Sequence, residues 1–196
     1  MLASGAKNRV DDDNYETCPQ DIRIMLSECK TSDVICDPFV CNGFSQTYIK
    51  HLGYETREFD ADFFESKTLP EGVTMIVTNP PFSKKQHILK HLLELDADFV
   101  LMLPMTIITC NYFTYAVQST AHTHQWKILL PSKVVKYHKK GRIDKRPPFN
   151  SMFVVRKRRS RPLRNQSIAS TDVRMLDYHD QPPFHVDGEH IGEDKE

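Results

Sequence analysis

Four consecutive residues, Asn79-Pro80-Pro81-Phe82, combine groups that could do chemistry on a planar nitrogen. The two prolines fix the backbone dihedral φ and lack N–H donors, so the Asn79 side chain and the Pro80 carbonyl become rigid acceptors. The aromatic ring of Phe82 follows these acceptors directly. Two acceptors beside a ring that can stack suit a flat exocyclic amine, such as the amino group of adenine. We therefore take Asn79, Pro80, Pro81 and Phe82 as the candidate catalytic residues.

This segment lies directly behind an apolar run, residues 73–77, which predicts a buried strand. In open α/β sheets, ligands bind in the crevice outside the carboxyl ends of the strands, so this position predicts a site. A second interpretation stays open, in which the prolines only stiffen a turn and Phe82 packs into the core.

A second turn with binding chemistry lies between the short apolar run 34–36 and the helical pattern that follows it. It contains Asp37, Pro38, Phe39 and Gly43. Doubly wound folds bind nucleotides at this place, between the first strand and the first helix. Gly43 allows a close backbone approach, and the helix N-terminus offers N–H donors to a carboxylate. We expect these four residues to bind a cofactor.

Acidic residues end the next predicted strand, which covers residues 55–59. Asp60 comes directly after it, where a carboxylate can accept hydrogen bonds from both hydroxyl groups of a cofactor's ribose. Glu58, two residues earlier on the same strand face, is the competing candidate for this contact.

These segments, in this order along residues 15–82, resemble those of the N6-adenine-specific nucleic-acid methyltransferase family. The Asn-Pro-Pro-aromatic tetrapeptide resembles the catalytic motif of that family, and the turn that begins at Asp37 resembles its cofactor loop. The likeness continues more faintly through the runs 99–103 and 150–155, and it covers about two thirds of the chain. The resemblance implies S-adenosylmethionine as the cofactor.

The resemblance also implies roles for residues that spacing alone does not single out. Tyr15 and Thr17 resemble the family's Phe/Tyr-x-Thr-Pro segment, which lies near the methionyl carboxylate of the cofactor. Asp62 and Phe63 look like the segment that receives the cofactor's adenine, with a carboxylate for the amine and an aromatic for the ring.

Two positions depart from the family pattern. Cys41 stands where the cofactor loop usually has its first glycine, and Cys18 is inserted between Thr17 and the proline that follows it. Thr17 is also a candidate N-cap of the first helix. For Asp62 the alternative is a solvated acidic turn above core phenylalanines.

Predicted strands alternate with amphipathic helices, which indicates a mostly parallel central sheet with helices on both faces. With the resemblance, this predicts an α/β, Rossmann-like S-adenosylmethionine-dependent methyltransferase fold. Helices are expected at 18–29, 44–52, 84–95 and 112–119, and strands at 34–36, 55–59, 73–79, 99–103, 128–130 and 152–155. We expect a disordered lead at 1–14, a methyltransferase domain at 15–158, and a disordered tail, first basic and then acidic, at 159–196.

The net charge of zero hides a strong asymmetry. Residues 127–164 carry 14 lysines and arginines and one acidic residue, whereas the segments on either side are acidic. Such a basic block is the electrostatic footprint of a protein that binds phosphate backbones, so we expect nucleic acid, DNA or RNA, as the partner. The candidate contacts are Lys133, Lys136, Lys139, Lys140, Arg142, Lys145 and Arg146.

The basic block leaves alternatives open. Residues 156–164 could extend the phosphate-binding surface, and the run 156–161 could equally serve as a nuclear-import signal. The whole block could also be only a solvated surface.

The sequence indicates a protein of the cell interior. No apolar run reaches the length of about 18 residues that a membrane span needs, and the amino terminus lacks the apolar core of a signal peptide. The five cysteines are odd in number and contain no Cys-x-x-Cys pair, so we expect reduced thiols and no metal site. Cytoplasm and nucleus are not separated by these observations.

The predicted activity is methyl transfer from S-adenosylmethionine to the exocyclic N6 amine of adenine in nucleic acid, with DNA favoured over RNA. Methylation of cytosine N4 or guanine N2 uses nearly the same motifs and remains an alternative, as does methylation of a protein glutamine. A further alternative is a non-catalytic subunit of methyltransferase fold that binds nucleic acid. Cys41 and the lack of a separate target-recognition domain favour that alternative, and the latter also leaves room for a partner subunit.

Overall fold

A seven-stranded sheet is the centre of the computed structural model, and a second sheet of three short strands accompanies it. The structure describes residues 15–40, 43–139, 142–144, 149–163 and 171–176. The strands are β1 (Glu16–Thr17), β2 (Val34–Cys36), β3 (Glu55–Arg57), β4 (Met75–Thr78), β5 (Phe99–Pro104), β6 (His124–Pro131), β7 (Tyr137–Lys139), β8 (Arg142–Asp144), β9 (Ser151–Arg158) and β10 (Thr171–Leu176). The helices are α1 (Pro19–Leu26), α2 (Phe44–His51), α3 (Lys85–Glu94) and α4 (Asn111–Thr120), with short 3-10 helices at Phe82–Lys84 and Met105–Thr109.

The strand order across the large sheet is β10-β6-β9-β5-β4-β2-β3. Neighbouring strands run parallel, except that β9 is antiparallel to both β5 and β6. After β2 the chain forms β3 on one side of it and then β4 on its other side, so the strand order reverses between β2 and β4. Ligands of doubly wound sheets bind at such a switch point.

The hydrophobic core lies on both faces of this sheet. Along β5, Phe99, Leu101 and Leu103 pack in a cluster that includes the buried faces of α3 and α4. The alternating residues Val100 and Met102 pack in a second cluster, with the buried faces of α1 and α2. This alternation places two helices on each face, and the predicted mostly parallel sheet with helices on both faces is confirmed.

The three-stranded sheet has the order β1-β7-β8 and is antiparallel throughout. We call it the small sheet. In its register, Thr17 is opposite Tyr137, and Lys139 is opposite Arg142 across the β7–β8 hairpin. The small sheet has no clear signal in the sequence, because strands of two or three residues leave almost no alternation to detect.

The amino end of α1 corrects one interpretation. Cys18, not Thr17, occupies the N-cap position, and no side chain caps the helix there. Thr17 belongs to β1 and pairs with β7, so the N-cap interpretation of Thr17 was wrong. Pro19 begins the helix, where a missing N–H costs nothing because the first turn has no acceptor for it.

The edge strand β10 lies where the sequence predicted a disordered tail. It pairs in parallel with β6, and Gln125 Nε2 donates to Asp172 Oδ2 at 3.0 Å. Val173 and Met175 are 59% and 68% exposed, so the strand lacks the buried apolar pattern that reveals a strand in sequence. The predicted lead 1–14 and the tail beyond residue 176 lie outside the described residues. Among the described helices, none is both long and apolar enough to cross a membrane.

Candidate active site

The carboxyl ends of β2 and β4 bring Asp37 next to the Asn79 segment. Asp37 is buried and accepts hydrogen bonds from Thr78 Oγ1 at 2.6 Å, from the Phe39 amide at 3.1 Å and from Ser45 Oγ at 2.8 Å. Burial raises the pKa of Asp37, and these three hydrogen bonds oppose the rise. One carboxylate thus joins the end of β2, the end of β4 and the first turn of α2.

The side chain of Asn79 has one atom engaged and one unpaired. Its Nδ2 donates to the backbone carbonyl of Tyr15 at 3.0 Å. Its Oδ1 is buried and has no hydrogen-bond partner among the described residues. A buried acceptor without a donor costs about 1–3 kcal/mol, so this oxygen calls for a donor such as a water or a ligand group.

Asn79 forms part of the wall of a narrow pocket of about 20 Å³. Its lining residues are Tyr15, Glu16, Thr17, Asp37, Phe39, Phe44, Ser45 and Asn79. Gly43 precedes α2 with φ +81°, and a Cβ there would meet no atom within 4 Å. The backbone conformation therefore favours glycine here, and no other protein atom approaches it closely. Cys41 lies outside the described residues.

A wider cleft of about 400 Å³ begins at the same residues. Its lining residues are Asp37, Pro38, Phe39, Val40, Glu58, Phe59, Ala61, Asp62, Phe63, Phe64, Pro81 and Lys84. Because Asp37 and Phe39 line both spaces, the narrow pocket adjoins the cleft. The volume falls in the range of small-molecule sites, about 300–1,000 Å³.

The two candidate ribose ligands differ in position. Glu58 directly follows β3, lines the cleft and accepts a hydrogen bond from Gln46 Nε2 at 2.8 Å. Asp60 is exposed and lines neither the cleft nor the narrow pocket. The geometry therefore favours Glu58, the competing candidate, over Asp60. Asp62 lines the cleft, and its Oδ1 accepts from the Phe64 amide at 2.8 Å.

The aromatic residues of the cleft also divide into two kinds. Phe63 is only 5% exposed and packs edge-to-face on Phe39, with ring centroids 5.1 Å apart. Phe64 is half-buried and stacks on His87 at 4.4 Å between centroids, with Lys84 Nζ 5.5 Å from its centroid. Phe63 is thus mainly a core residue, and Phe64 offers the more accessible ring. The sequence had placed the adenine contact on Phe63.

The other residues of the tetrapeptide lie beside this cleft. Pro80 is buried, and Pro81 lines the cleft. Phe82 is half-buried and packs edge-to-face on Phe149, with centroids 4.9 Å apart. Phe149 also packs on Tyr15 at 5.4 Å. The predicted catalytic segment therefore adjoins the small sheet through these rings.

Sequence comparison finds no protein-family model and no curated protein that matches the chain. Solved structures with a similar fold include the 23S rRNA methyltransferase ErmE, with TM-score 0.46, 15% identity, and coverage of 75% of this chain and 69% of that one. A predicted O-methyltransferase from Agrobacterium tumefaciens has TM-score 0.43, 10% identity, and coverage of 80% and 84%. A class I S-adenosylmethionine-dependent methyltransferase from Listeria monocytogenes has TM-score 0.46, 10% identity, and coverage of 80% and 62%.

These scores and identities are low, so the likenesses carry no argument about activity. The fold assignment depends on the strand order, the single antiparallel strand β9 and the helices on both faces. The chain has a Rossmann-like α/β fold, with a mostly parallel seven-stranded sheet and helices on both faces.

Part of the predicted basic surface is internal. Arg156 is 1% exposed, donates to the carbonyl of Ala97 and pairs with Asp96 Oδ1 at 2.8 Å. Lys127 Nζ pairs with Glu28 at 2.8 Å. Arg156 therefore does not extend a phosphate-binding surface, because its position on the central strand β9 turns it inward.

The remaining candidates lie on or before the β7–β8 hairpin. Lys133 and Lys136 are exposed in the segment that leads into β7. Lys139 and Arg142 face each other in the backbone register of the hairpin, and β7 pairs with β1, which lines the narrow pocket. Three further candidates, Lys140, Lys145 and Arg146, lie outside the described residues. No cluster of metal-ligating side chains occurs in the part of the chain that the structure describes.

Proposed function

We propose that this protein transfers a methyl group from S-adenosylmethionine to the N6 amine of adenine in nucleic acid. The observation that carries the proposal is the buried Asn79 Oδ1, which lacks a donor at the switch point of the sheet. An exocyclic amine supplies the N–H that this oxygen lacks. The proline-flanked acceptor, the adjoining cleft and the basic hairpin all fit this reaction.

The residues of the two spaces fit S-adenosylmethionine. The cleft suits the adenosine part, with Glu58 for the ribose and Asp62 and Phe64 for the adenine. The narrow pocket has room for about one water molecule as it stands, and it marks the place where Tyr15, Thr17 and the amino end of α2 would surround the methionine end of the cofactor. When bound, the cofactor supplies an electrophilic methyl group.

The chain's own contribution to the reaction is positioning and electrostatics. Asn79 Oδ1 and the Pro80 carbonyl would accept hydrogen bonds from the amine and direct its lone pair at the methyl carbon. The new N–C bond would form as the bond from methyl to sulfur breaks, the thioether would be the leaving group, and the nitrogen would release one proton to water. Phe82 offers a ring face for the base, and reactive distances of about 3–3.5 Å suffice without a covalent intermediate. In a duplex the base must first leave the stack, at a cost of roughly a few kcal/mol.

The test is to incubate the protein with isotopically labelled S-adenosylmethionine and with separate pools of DNA and RNA. Digestion and mass spectrometry then identify the modified nucleoside. N6-methylated adenine in either pool supports the proposal, and the pool that carries it decides between DNA and RNA. N4-methylcytosine or N2-methylguanine would overturn the base assignment.

Calorimetry with S-adenosylmethionine separates an enzyme from an inert subunit. Cofactor binding with product in one pool supports the proposal. Nucleic-acid binding without cofactor binding would instead support the non-catalytic subunit.

A further inference from the structure

One hydrogen bond of Asn79 is made within the protein itself. The Nδ2 group donates to the carbonyl of Tyr15, a residue 64 positions earlier in the chain, at 3.0 Å. A rotation of the carboxamide by half a turn would bring Oδ1 against that carbonyl, and two acceptor oxygens repel each other. The Tyr15 carbonyl therefore selects the orientation in which Oδ1 is left for another donor.

The small sheet holds Tyr15 in place. Tyr15 directly precedes β1, and Thr17 in β1 pairs with Tyr137 of β7. The ring of Tyr15 packs on Tyr137 at 5.2 Å and on Phe149 at 5.4 Å between centroids, both edge-to-face. The carbonyl that orients Asn79 thus depends on the packing of this aromatic cluster.

Tyr137 connects the small sheet to the large one. It is fully buried, and its hydroxyl shares a hydrogen bond with Ser151, the first residue of β9. Its ring also packs on Phe149 at 5.5 Å. Tyr137 lines neither the narrow pocket nor the cleft, and its ring contacts Tyr15, whose carbonyl accepts the hydrogen bond from Asn79.

We propose that Tyr137 is a positioning residue, which through Tyr15 holds the Asn79 carboxamide with its oxygen directed at the target amine. The packing of Tyr137 on Tyr15 and the hydrogen bond from Asn79 to Tyr15 are geometric observations. The effect of Tyr137 on the rate of methyl transfer rests on the proposed function. Loosening β1 lets the carboxamide rotate and misplaces the acceptor.

The kinetic test compares Tyr137→Leu with Tyr137→Phe and with Phe153→Leu. Phe153 is buried in the same core cluster but lines neither pocket, so its variant matches the loss of core volume. We expect Tyr137→Leu to lower kcat at saturating substrates by about tenfold or more, since small misplacements are costly. The variant Tyr137→Phe keeps the ring, so its kcat should lie within about threefold of the kcat of the original protein. If Phe153→Leu lowers kcat as much as Tyr137→Leu at equal Tm, the effect is only structural.

A second measurement does not require activity. Unfolding equilibria of Tyr137→Leu, Asn79→Ala and the double variant form a cycle, and the proposal expects non-additivity of about two- to tenfold in the unfolding constant, the value of one hydrogen bond. Should Tyr137→Leu fail to fold, Tyr137→Met keeps more of the buried volume and carries the same expectation.

The two measurements separate the claims. Coupling without methyl transfer by the original protein would support the positioning contact and overturn the proposed function. Methyl transfer with additive effects and an unchanged kcat in Tyr137→Leu would leave the function standing and overturn the positioning role.

Discussion

The two polar atoms of the Asn79 carboxamide differ, because Nδ2 donates to the Tyr15 carbonyl and Oδ1, the proposed acceptor for the target amine, has no partner among the described residues. Asn79→Ala removes an acceptor that acts mainly in the transition state. We expect methyl transfer to fall on the order of 100-fold or more, with cofactor affinity within about a few-fold. Single-turnover kinetics and calorimetry measure the two effects.

Asn111 provides a control for this substitution, because it is an exposed asparagine at the start of α4. Asn111→Ala should leave both quantities unchanged. A folded Asn79→Ala protein with full activity would rule out the proposed mechanism.

Glu58 and Asp60 form a natural matched pair, two residues apart, with one in the wall of the cleft and one outside it. A carboxylate that accepts two hydrogen bonds contributes roughly 1.5–3 kcal/mol for each. We expect Glu58→Ala to weaken S-adenosylmethionine binding about tenfold or more, and Asp60→Ala to change it less than about twofold. Calorimetric titration distinguishes them, and the opposite result would return the ribose contact to Asp60.

At the scale of residues, the sequence predicts which segments lie close together in the fold. It does not predict which of their atoms are in contact. Asp37 and Asn79 follow strands that a parallel sheet brings to one edge, so their proximity follows from pattern and topology. Which of the two rings, Phe63 or Phe64, is the more accessible does not follow from the sequence. Both residues lie in a turn, which has no periodic pattern that separates buried from exposed side chains. The Tyr15–Asn79 contact spans 64 residues and depends on a strand of two residues.

Among the elements, the amino ends of β5 and β6 share a buried polar cluster. His124 Nδ1 lies 3.2 Å from Arg156 Nη2, and His124 Nε2 lies 3.3 Å from Asp96 Oδ1. Asp98 faces the same ring at 3.9 Å, and Thr123 Oγ1 lies 2.8 Å from Nδ1. Burial, with a smaller contribution from the Arg156 guanidinium, lowers the pKa of His124 to about 4.

This cluster predicts how stability depends on pH. The unfolded chain takes up the His124 proton near pH 6.5, whereas the folded protein resists it down to about pH 4. Protonation therefore favours unfolding, and the free energy of unfolding should fall between these values by about 3 kcal/mol at most. Denaturant titrations of the original protein and of His124→Gln, at pH 7 and pH 4.5, isolate this contribution. Equal losses in the two proteins would contradict the assignment.

The elements that the sequence predicts well are those with long or fully buried patterns. The continuous apolar run of β5 is typical of a central parallel strand, and the structure buries all six of its residues. β10 shows the opposite case, since its backbone pairs while Val173, Arg174 and Met175 remain exposed. Edge strands held mainly by main-chain hydrogen bonds give no hydrophobic signal to read.

At the scale of the whole molecule, the basic block contains some side chains that are internal and others that are exposed. Arg156 and Lys127 are tied into the body of the protein by Asp96 and Glu28, where they act as internal partners of acidic groups. Lys133 and Lys136, which precede β7, are exposed and can meet phosphates. The sequence gives the number of charged residues in a segment. Only the fold decides which of these side chains are internal and which lie at the surface.

We expect the two exposed lysines before β7 and the two basic residues paired across the β7–β8 hairpin to dominate nucleic-acid binding. The variant to make replaces with alanine the residues Lys133, Lys136, Lys139 and Arg142. If all four engage phosphates, the slope of log K against log salt should flatten by about 3–4 on duplex DNA. Cofactor affinity should hardly change. Titrations by fluorescence anisotropy at several salt concentrations measure the slope.

A control with the same loss of charge replaces with alanine the exposed residues Lys30, Lys67, Lys90 and Arg174. Its slope should stay close to that of the original protein. If both variants flatten the slope equally, the hairpin is no special site and the binding is a property of net charge.

The short strand β1 has a thermodynamic consequence. It lines the pocket assigned to the cofactor, its neighbour Tyr15 holds Asn79, and its hydrogen-bonded partner β7 begins the basic hairpin. If the cofactor and nucleic acid both contact this strand as proposed, the ligand that binds first would order a segment that the other also uses, and the second would lose less entropy on binding. Thermodynamic reciprocity then requires nucleic acid to tighten S-adenosylmethionine by the same factor as the cofactor tightens nucleic acid. Two residues of strand would thus make the two substrates of one reaction cooperative.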